Sequence, residues 1–284
     1  MQTQRIERIG ERFWYQTPVS ETDRPILGMV VGGKKTLMID AGNSEAHTRY
    51  FLKELADRQV QKPGLLALTH WHWDHIFGLS ALDGVVSFAY HETKEAMEKL
   101  IPLSWSNEAL DERVQAGTEI EFCATAIKKE FPEERNITIA LPTVTFEGRM
   151  EMDLGGLTCV LQHVGGDHAS DSVVIYIKEE KILFLGDCIY ADIFSPKTNY
   201  TIEKTRELLN QLDTFDAETY ILSHSGAISR EEYQQEVTLL RMMASLTEEF
   251  QGDSVKIKQA YEEQLGRELN EDELETMQYF VNGW

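Results

Sequence analysis

Residues 65–75 read Leu-Leu-Ala-Leu-Thr-His-Trp-His-Trp-Asp-His, an apolar run that breaks into a cluster of metal-capable side chains. A short apolar run preceded by Pro63 and Gly64 reads as a buried strand. His70, His72, Asp74 and His75 therefore leave a strand end together. Imidazole and carboxylate in one place suit zinc, and also iron or manganese. In an extended or turning segment His70 and His72 project to the same side and can reach one ion, while Asp74 and His75 fall past the bend and can address a second. Two ions about 3.5–4 Å apart can share one oxygen. The competing interpretation is a surface loop rich in His and Trp, with Asp74 serving as the N-cap of a following helix.

Outward from this stretch the pattern recurs. CVLQHVGGDH reaches His168 through a glycine turn, KILFLGD ends at Asp187, and TYILSH ends at His224. Polar groups on loops leaving strand ends are held by a rigid sheet, so four such ends side by side would build one cleft. Upstream, FWYQ, ILGMVVGG and TLMID between Arg12 and Asp40 read as a meander of strands. Ser44 to Gln61 reads as an amphipathic helix, with Tyr50, Phe51, Leu55 and Ala56 near helical spacing. Residues 91–131 are rich in Glu, Lys and Ala, carry a capping-box pattern at Thr118 and Glu121, and stop at Pro132, which predicts a helical insert. A second box at Ser229 and Glu232 opens a helix with Val237, Leu240 and Met243 or Ala244 on one packing face. Gly266 is expected to end a helix, and Asn270 with Glu273 to start another.

The composition bounds what such a site can serve. With 284 residues, 42% hydrophobic and 26% charged, the chain is ordinary globular material. No stretch approaches the roughly 18 apolar residues of a membrane span. The start, MQTQRIERIGERFWYQTP, has no apolar run ending in small residues, so a cytoplasmic location is expected. Lys and Arg number 27 against 48 Asp and Glu, a formal charge of −21 that argues against general nucleic-acid binding. Cys123, Cys159 and Cys188 are widely spaced and never form a Cys-x-x-Cys pair. They are read as small buried side chains, forming neither a disulfide framework nor a thiolate zinc site.

Taken together, these motifs resemble the metallo-β-lactamase superfamily, whose signature is His-x-His-x-Asp-His followed by a distant His, then Asp, then His. The match runs from the strand before Asp40 and Gly42 to about His224. The resemblance implies an α/β (α+β) fold, a four-layer αββα sandwich of two mixed β-sheets flanked by helices. Residues 1–228 would be the family domain, with its helical insert at about 91–131, and 229–284 a C-terminal helical extension packed on it. It further implies that His70, His72 and His168 bind one ion and Asp74, His75 and His224 a second. Asp187, of Gly186-Asp187, would bridge them, with two Zn2+ per chain and iron or manganese as alternatives. His163 is a rival to His168, but Asp167-His168-Ala-Ser-Asp-Ser-Val has the family's offset before a Ser-Val strand. His163 is then left as a supporting or core residue.

Some features depart from the family. Ile76-Phe77-Gly78-Leu79-Ser80 stands where many relatives have Gly-Gly-Asn, and the loop at His168 lacks the usual proline. The best-known zinc β-lactamases have Arg or Cys at the place of His75 and Cys at that of Asp187. Cys188 is one position off and should point away, so β-lactam hydrolysis is not implied.

The expected activity is binuclear, metal-dependent hydrolysis of a small ester, thioester or lactone, with metal-activated hydroxide as nucleophile. Asp74 would orient that nucleophile or pass its proton on, and Tyr190 would either donate to the developing oxyanion or simply pack. A mononuclear iron sulfur dioxygenase and a metal-dependent phosphodiesterase are the alternatives, the latter opposed by the net charge. The expected partner is a small-molecule substrate, with neither nucleic acid nor membrane. The helical pieces would wall the cleft or form a homodimer contact.

Overall fold

A computed structural model describes residues 4–132 and 135–284. The expected meander is present as β2 (Phe13–Gln16), β3 (Leu27–Val31) and β4 (Thr36–Ile39), preceded by β1 (Ile6–Ile9), each antiparallel to the next. β1 escapes the sequence pattern because Glu7 and Arg8 interrupt its two isoleucines and none of its residues is fully buried. Ser44 caps α1 (Glu45–Asp57) by accepting the His47 N–H. The helix is shorter than expected and ends before Gln59, which takes a left-handed conformation with φ 62°. β5 (Leu65–Ala67) then lies parallel to β4 and leads into the single turn α2 (Trp73–Ile76). β6 (Val86–Tyr90) continues the sheet in parallel. The insert follows as α3 (His91–Leu100), α4 (Asn107–Gln115) and α5 (Glu121–Glu130), after which β7 (Val144–Phe146) closes a seven-stranded sheet of order β1 to β7.

The second sheet holds β8 (Arg149–Asp153), β9 (Thr158–His163), β10 (Val173–Ile177), β11 (Ile182–Gly186), β12 (Thr219–Leu222) and β13 (Gly226–Ser229), in the order β13 to β8. Its strands are antiparallel except β11 and β12, which pair in parallel across the crossover helix α6 (Ile202–Leu212). Both sheets are therefore mixed.

Side-chain alternation along the strands stacks the layers. Phe13, Val30, Leu37, Ile39 and Ala67 of the first sheet meet Leu161, Ile175, Phe184 and Ile221 of the second in a fully buried inter-sheet core. The intervening Met29, Met38, Leu66 and Leu68 face outward onto Phe51, Leu55, Met97 and Ile127 of α1, α3 and α5. On the far side Val174, Leu183, Leu185, Tyr220 and Leu222 pack against α6 and the C-terminal helices α7 (Arg230–Glu249), α8 (Ser254–Leu265) and α9 (Glu271–Asn282). Strands buried on both faces explain why their sequences read as continuous apolar runs. The architecture is the expected αββα sandwich.

The capping boxes at Ser229/Glu232 and Asn270/Glu273 both form, and Gly266 ends α8 with φ 67°. Met243 and Ala244 are both buried on the packing face of α7. The expected box at Thr118/Glu121 does not form. Gly117, at φ 69°, ends α4, and the Thr118 N–H and hydroxyl are spent on the Arg113 carbonyl that this ending exposes. Ser106 caps α4 instead, and α5 begins after Ile120 without a side-chain cap. Among the described residues no helix is long and apolar enough to cross a membrane.

Candidate metal centre

The residues after β5 turn over a buried carboxylate, that of Asp40. Asp40, at the end of β4 with φ 59°, is wholly buried. Its Oδ1 accepts the Thr69 N–H at 2.7 Å, and its Oδ2 accepts the Thr69 hydroxyl at 2.9 Å and faces His75 Nδ1 at 2.8 Å. Gly78 lets the chain pass this corner, since a Cβ there would stand 2.1 Å from the Ala41 carbonyl oxygen. His70 and His72 lie on the stretch between β5 and α2, while Asp74 and His75 lie on α2 itself.

The other donors come from the second sheet. The loop after β9 reaches His168 through Gly166, where φ is 123° and a Cβ would come within 2.8 Å of the Cys188 carbonyl oxygen. Asp167 pins this loop by accepting the N–H and hydroxyl of Thr201, at the start of α6, at 2.9 and 2.8 Å. Asp187 follows β11 and His224 follows β12, so the site straddles the edge where the sheets meet.

Two groups of potential ligands result: His70, His72 and His168, and then Asp74, His75, Asp187 and His224. His72 Nδ1 stands 3.0 Å from His168 Nε2. Asp187 Oδ2 lies 3.4 Å from His168 Nε2 and 3.9 Å from His70 Nε2. On the other side it lies 3.3 Å from His75 Nε2 and 3.2 Å from His224 Nε2. Asp74 Oδ2 lies 3.0 and 3.2 Å from the same two nitrogens. Atoms sharing a tetrahedral ion at about 2.0–2.1 Å stand roughly 3.3 Å apart, so most of these spacings fit coordination.

The outer ring nitrogens support that fit. His70 Nδ1 meets the Thr69 hydroxyl at 3.1 Å, His75 Nδ1 meets Asp40, His168 Nδ1 meets the Ala191 carbonyl at 3.2 Å, and His224 Nδ1 meets Asp23 Oδ1 at 3.3 Å. A ring that donates through Nδ1 presents a lone pair at Nε2. With Nδ1 engaged, the Nε2 atoms of His70, His75 and His168 converge with two carboxylates in a buried space, where His70 Nε2 and Asp187 Oδ1 have no hydrogen-bond partner. Without a cation such a set carries a desolvation penalty, and a cation relieves it.

The electrostatics divide the histidines: two stay neutral, and on the other two a proton competes with a cation for the same carboxylates. Burial, then the neighbouring imidazoles, hold His70 and His72 well below the usual histidine pKa, hence neutral. Burial opposes charge on His75 and His224, but the surrounding carboxylates outweigh it and raise both well above the usual value. Burial likewise opposes ionisation of Asp74 and Asp187, but the facing histidines outweigh it and keep both carboxylates ionised.

His163 stays outside this centre. Its ring stacks on Tyr90 at 3.9 Å and its Nε2 meets the Ser170 carbonyl at 2.7 Å. Asp74 turns its carboxylate to the histidines, and α2 has no side-chain cap. Cys188 is buried in the outer core beside Leu185, where burial pushes its thiol pKa up. Tyr190 has its ring 6.1 Å from that of His168 and its hydroxyl 3.1 Å from Ser225 Oγ. Burial and the Asp187 charge raise its pKa, so the phenol keeps its proton. Asp23, Asp40 and Asp167 have functions of support that no local pattern signals. Only Asp40 has a hint, as an acid at a strand end before Ala41 and Gly42.

A cavity of about 550 Å3 opens beside the ligands, bounded by His72, Asp74, His168, Asp187, Tyr190 and His224 on one side. The rest of its lining is mainly apolar, much of it from the start of α5 and the loop after Tyr190.

A family model described as the metallo-beta-lactamase superfamily matches residues 24–224. The human protein named acyl-coenzyme A thioesterase MBLAC2 is 25% identical over 190 residues, which is 63% of this chain and 63% of its own. Metallo-beta-lactamase type 2 of Bacteroides fragilis is 25% identical over 172 residues, 59% of this chain and 53% of its own. These matches therefore span less than two thirds of the relatives' length. Among solved structures, the metallo-beta-lactamase from Pontibacter korlensis aligns with a TM-score of 0.59 at 18% identity, covering 83% of this chain and 98% of that one. The sec-alkylsulfatase Pisa1 from Pseudomonas sp. aligns with a TM-score of 0.65 at 16% identity, covering 86% of this chain and 42% of that one. At such identities the structural likeness is one of fold.

Proposed function

Because the chain belongs to the metallo-beta-lactamase superfamily, we propose that it is a binuclear metal-dependent hydrolase acting on an ester, thioester or lactone of a small molecule. The observation that carries this reading is the sorting of the donors about Asp187 Oδ2, which lies 3.2–3.9 Å from His70, His75, His168 and His224. His70 Nε2, His72 Nδ1 and His168 Nε2 would hold one ion, Asp74 Oδ2, His75 Nε2 and His224 Nε2 the other, and Asp187 would bridge. A donor set of nitrogen and carboxylate oxygen alone suits zinc, with iron and manganese as alternatives. Bound there, the ions would supply Lewis acidity and lower the pKa of water from about 15.7 towards 7.

The chain's own residues do the rest. Asp40 and Asp23 fix the tautomers of His75 and His224. Asp74, ionised and lining the cavity, orients the attacking water and carries its proton towards the leaving group. Tyr190, protonated and on the same wall, donates to the carbonyl oxygen as charge develops on it. The thioesterases among the relatives favour a carbonyl substrate, and the net charge of −21 disfavours a polyanionic phosphodiester.

Elemental analysis of purified protein, paired with a panel of thioesters, lactones and phosphodiesters, tests the reading. The expectation is two zinc per chain and carbonyl hydrolysis that Asp187→Ala reduces by about a thousandfold or more, the scale of losing a charge-stabilising group. One iron per chain with oxygen consumption on a persulfide would replace it with the dioxygenase alternative. Unchanged hydrolysis in Asp187→Ala would end it.

A further inference from the structure

The two walls of the cavity differ in chemistry. Beside the ligands, the lining includes the apolar side chains of Pro18, Ile120, Phe122, Cys123, Ile193 and Phe194. Phe122, on the lining of the cleft, is 54% exposed, an aromatic ring open to solvent over half its surface. Phe194 lies deeper, its ring 4.9 Å from that of His72, so the apolar surface reaches the reacting centre. Small-molecule sites have this form, a largely apolar lining with a few placed polar groups, and volumes of about 300–1,000 Å3. The cavity's 550 Å3 falls in that range.

Charge narrows the ligand further. Among the described residues the lining holds no Lys or Arg, and of its carboxylates Asp74 and Asp187 belong to the proposed metal site, which leaves Asp23. Lys197, next to the lining residue Thr198, is exposed and is not itself part of the lining. Phosphates and carboxylates are recognised by guanidinium forks, ammonium groups or helix N-termini; beyond the proposed ions this lining offers neither of the first two, and of the third only the start of α5 at Ile120, set among apolar side chains. The overall charge of −21 adds repulsion at low ionic strength.

We infer that the substrate is electrically neutral and carries an apolar acyl chain seated against Phe122, Ile193 and Phe194, so that a polyanionic carrier such as coenzyme A is disfavoured. This inference rests on the hydrolase reading above. It also separates this chain from what the names of its thioesterase relatives say of their substrates.

The test compares acetyl, butanoyl, hexanoyl and octanoyl thioesters of neutral N-acetylcysteamine with the same acyl groups on coenzyme A, using the metal-loaded full chain. Expected is a rise in kcat/KM of about three- to fourfold per methylene until the pocket is filled. The neutral carrier should be preferred by about tenfold or more at low salt. Phe122→Ala should lower the octanoyl-to-acetyl ratio by about fivefold or more, and Phe122→Leu should restore most of it. A flat acyl series, or a preference for coenzyme A, overturns the inference. In parallel, calorimetry measures binding of non-hydrolysable alkyl amides of the same chain lengths. Amide affinity that climbs with chain length while every ester stays inert keeps the ligand class and removes the hydrolase reading. Hydrolysis indifferent to chain length does the reverse.

Discussion

Asp23 adopts φ 54°, in the left-handed region that costs most side chains energy but that Asp and Asn tolerate. It ends a short helical turn at Ser20–Thr22, and Asn43 holds that turn by donating to the Thr22 carbonyl at 2.8 Å. The result is a carboxylate fixed 3.3 Å from His224 Nδ1. Asp23→Asn keeps the backbone conformation and removes an acid whose pKa burial, and then the Asp74 charge, lift to about 7. On the proposed two-ion reading, it is expected to weaken retention of the ion at His224 by about tenfold, the lower end of what outer partners of metal ligands contribute. Competition with a chromogenic chelator measures this, and wild-type retention of both ions would make the contact incidental. The legibility of the site divides at this scale. Three histidines and Asp74 crowd into positions 70–75, and His168, Asp187 and His224 each end an apolar run, so local pattern marks them. Asp23, Asp40 and Asp167 are single acids whose importance lies in partners 201, 35 and 34 positions away, respectively His224, His75 and Thr201, and no local pattern encodes that.

At the scale of elements, α9 braces the loop that forms one wall of the cavity. Asn282 Nδ2 donates to the Thr198 carbonyl at 2.8 Å, and the Tyr200 N–H donates to the Tyr279 carbonyl at 3.1 Å. The Tyr200 ring stacks on Phe280 at 5.1 Å. Gly283 closes the junction so tightly that a Cβ there would stand 2.1 Å from the Tyr200 carbonyl oxygen, a backbone atom that cannot step aside alone. Gly283→Ala should therefore shift the loop carrying Ile193 and Phe194 and raise KM for acyl substrates by roughly three- to tenfold, the effect of losing one or two methylenes of contact, with metal content unchanged. Steady-state kinetics beside elemental analysis decides it, since an unaltered KM would make the brace irrelevant to the pocket. The C-terminal helices were well marked in sequence because boxes at Ser229 and Asn270 and a glycine at 266 are strong local signals. Thr118 misled for an equally local reason, because Gly117 had already committed it to the end of α4.

Across the whole molecule, the chain passes between the two sheets once, from β7 to β8, so polar contacts supply the other ties near the site. The loop before β3 ties to the second sheet through the Ile26 N–H and the Ser223 carbonyl at 2.8 Å. It ties to the insert through Arg24, whose guanidinium meets both oxygens of the buried Glu130 at 3.0 and 2.7 Å. The layered architecture was legible because strands buried on both faces produce unmistakable apolar runs. How the runs divide between sheets was not, since parallel and antiparallel neighbours look alike in a single sequence.

The origin of the donors on both sheets has a mechanical consequence. A cation gripped from both sides acts as a rivet between the halves of the sandwich, and unfolding of either half must expel it. Stripping the protein with a chelator should lower Tm by several degrees or more, as expected for a ligand bound only by the native state. Ion release and loss of tertiary circular dichroism should then coincide on heating. Release well before melting would mean that the halves keep their alignment without the rivet.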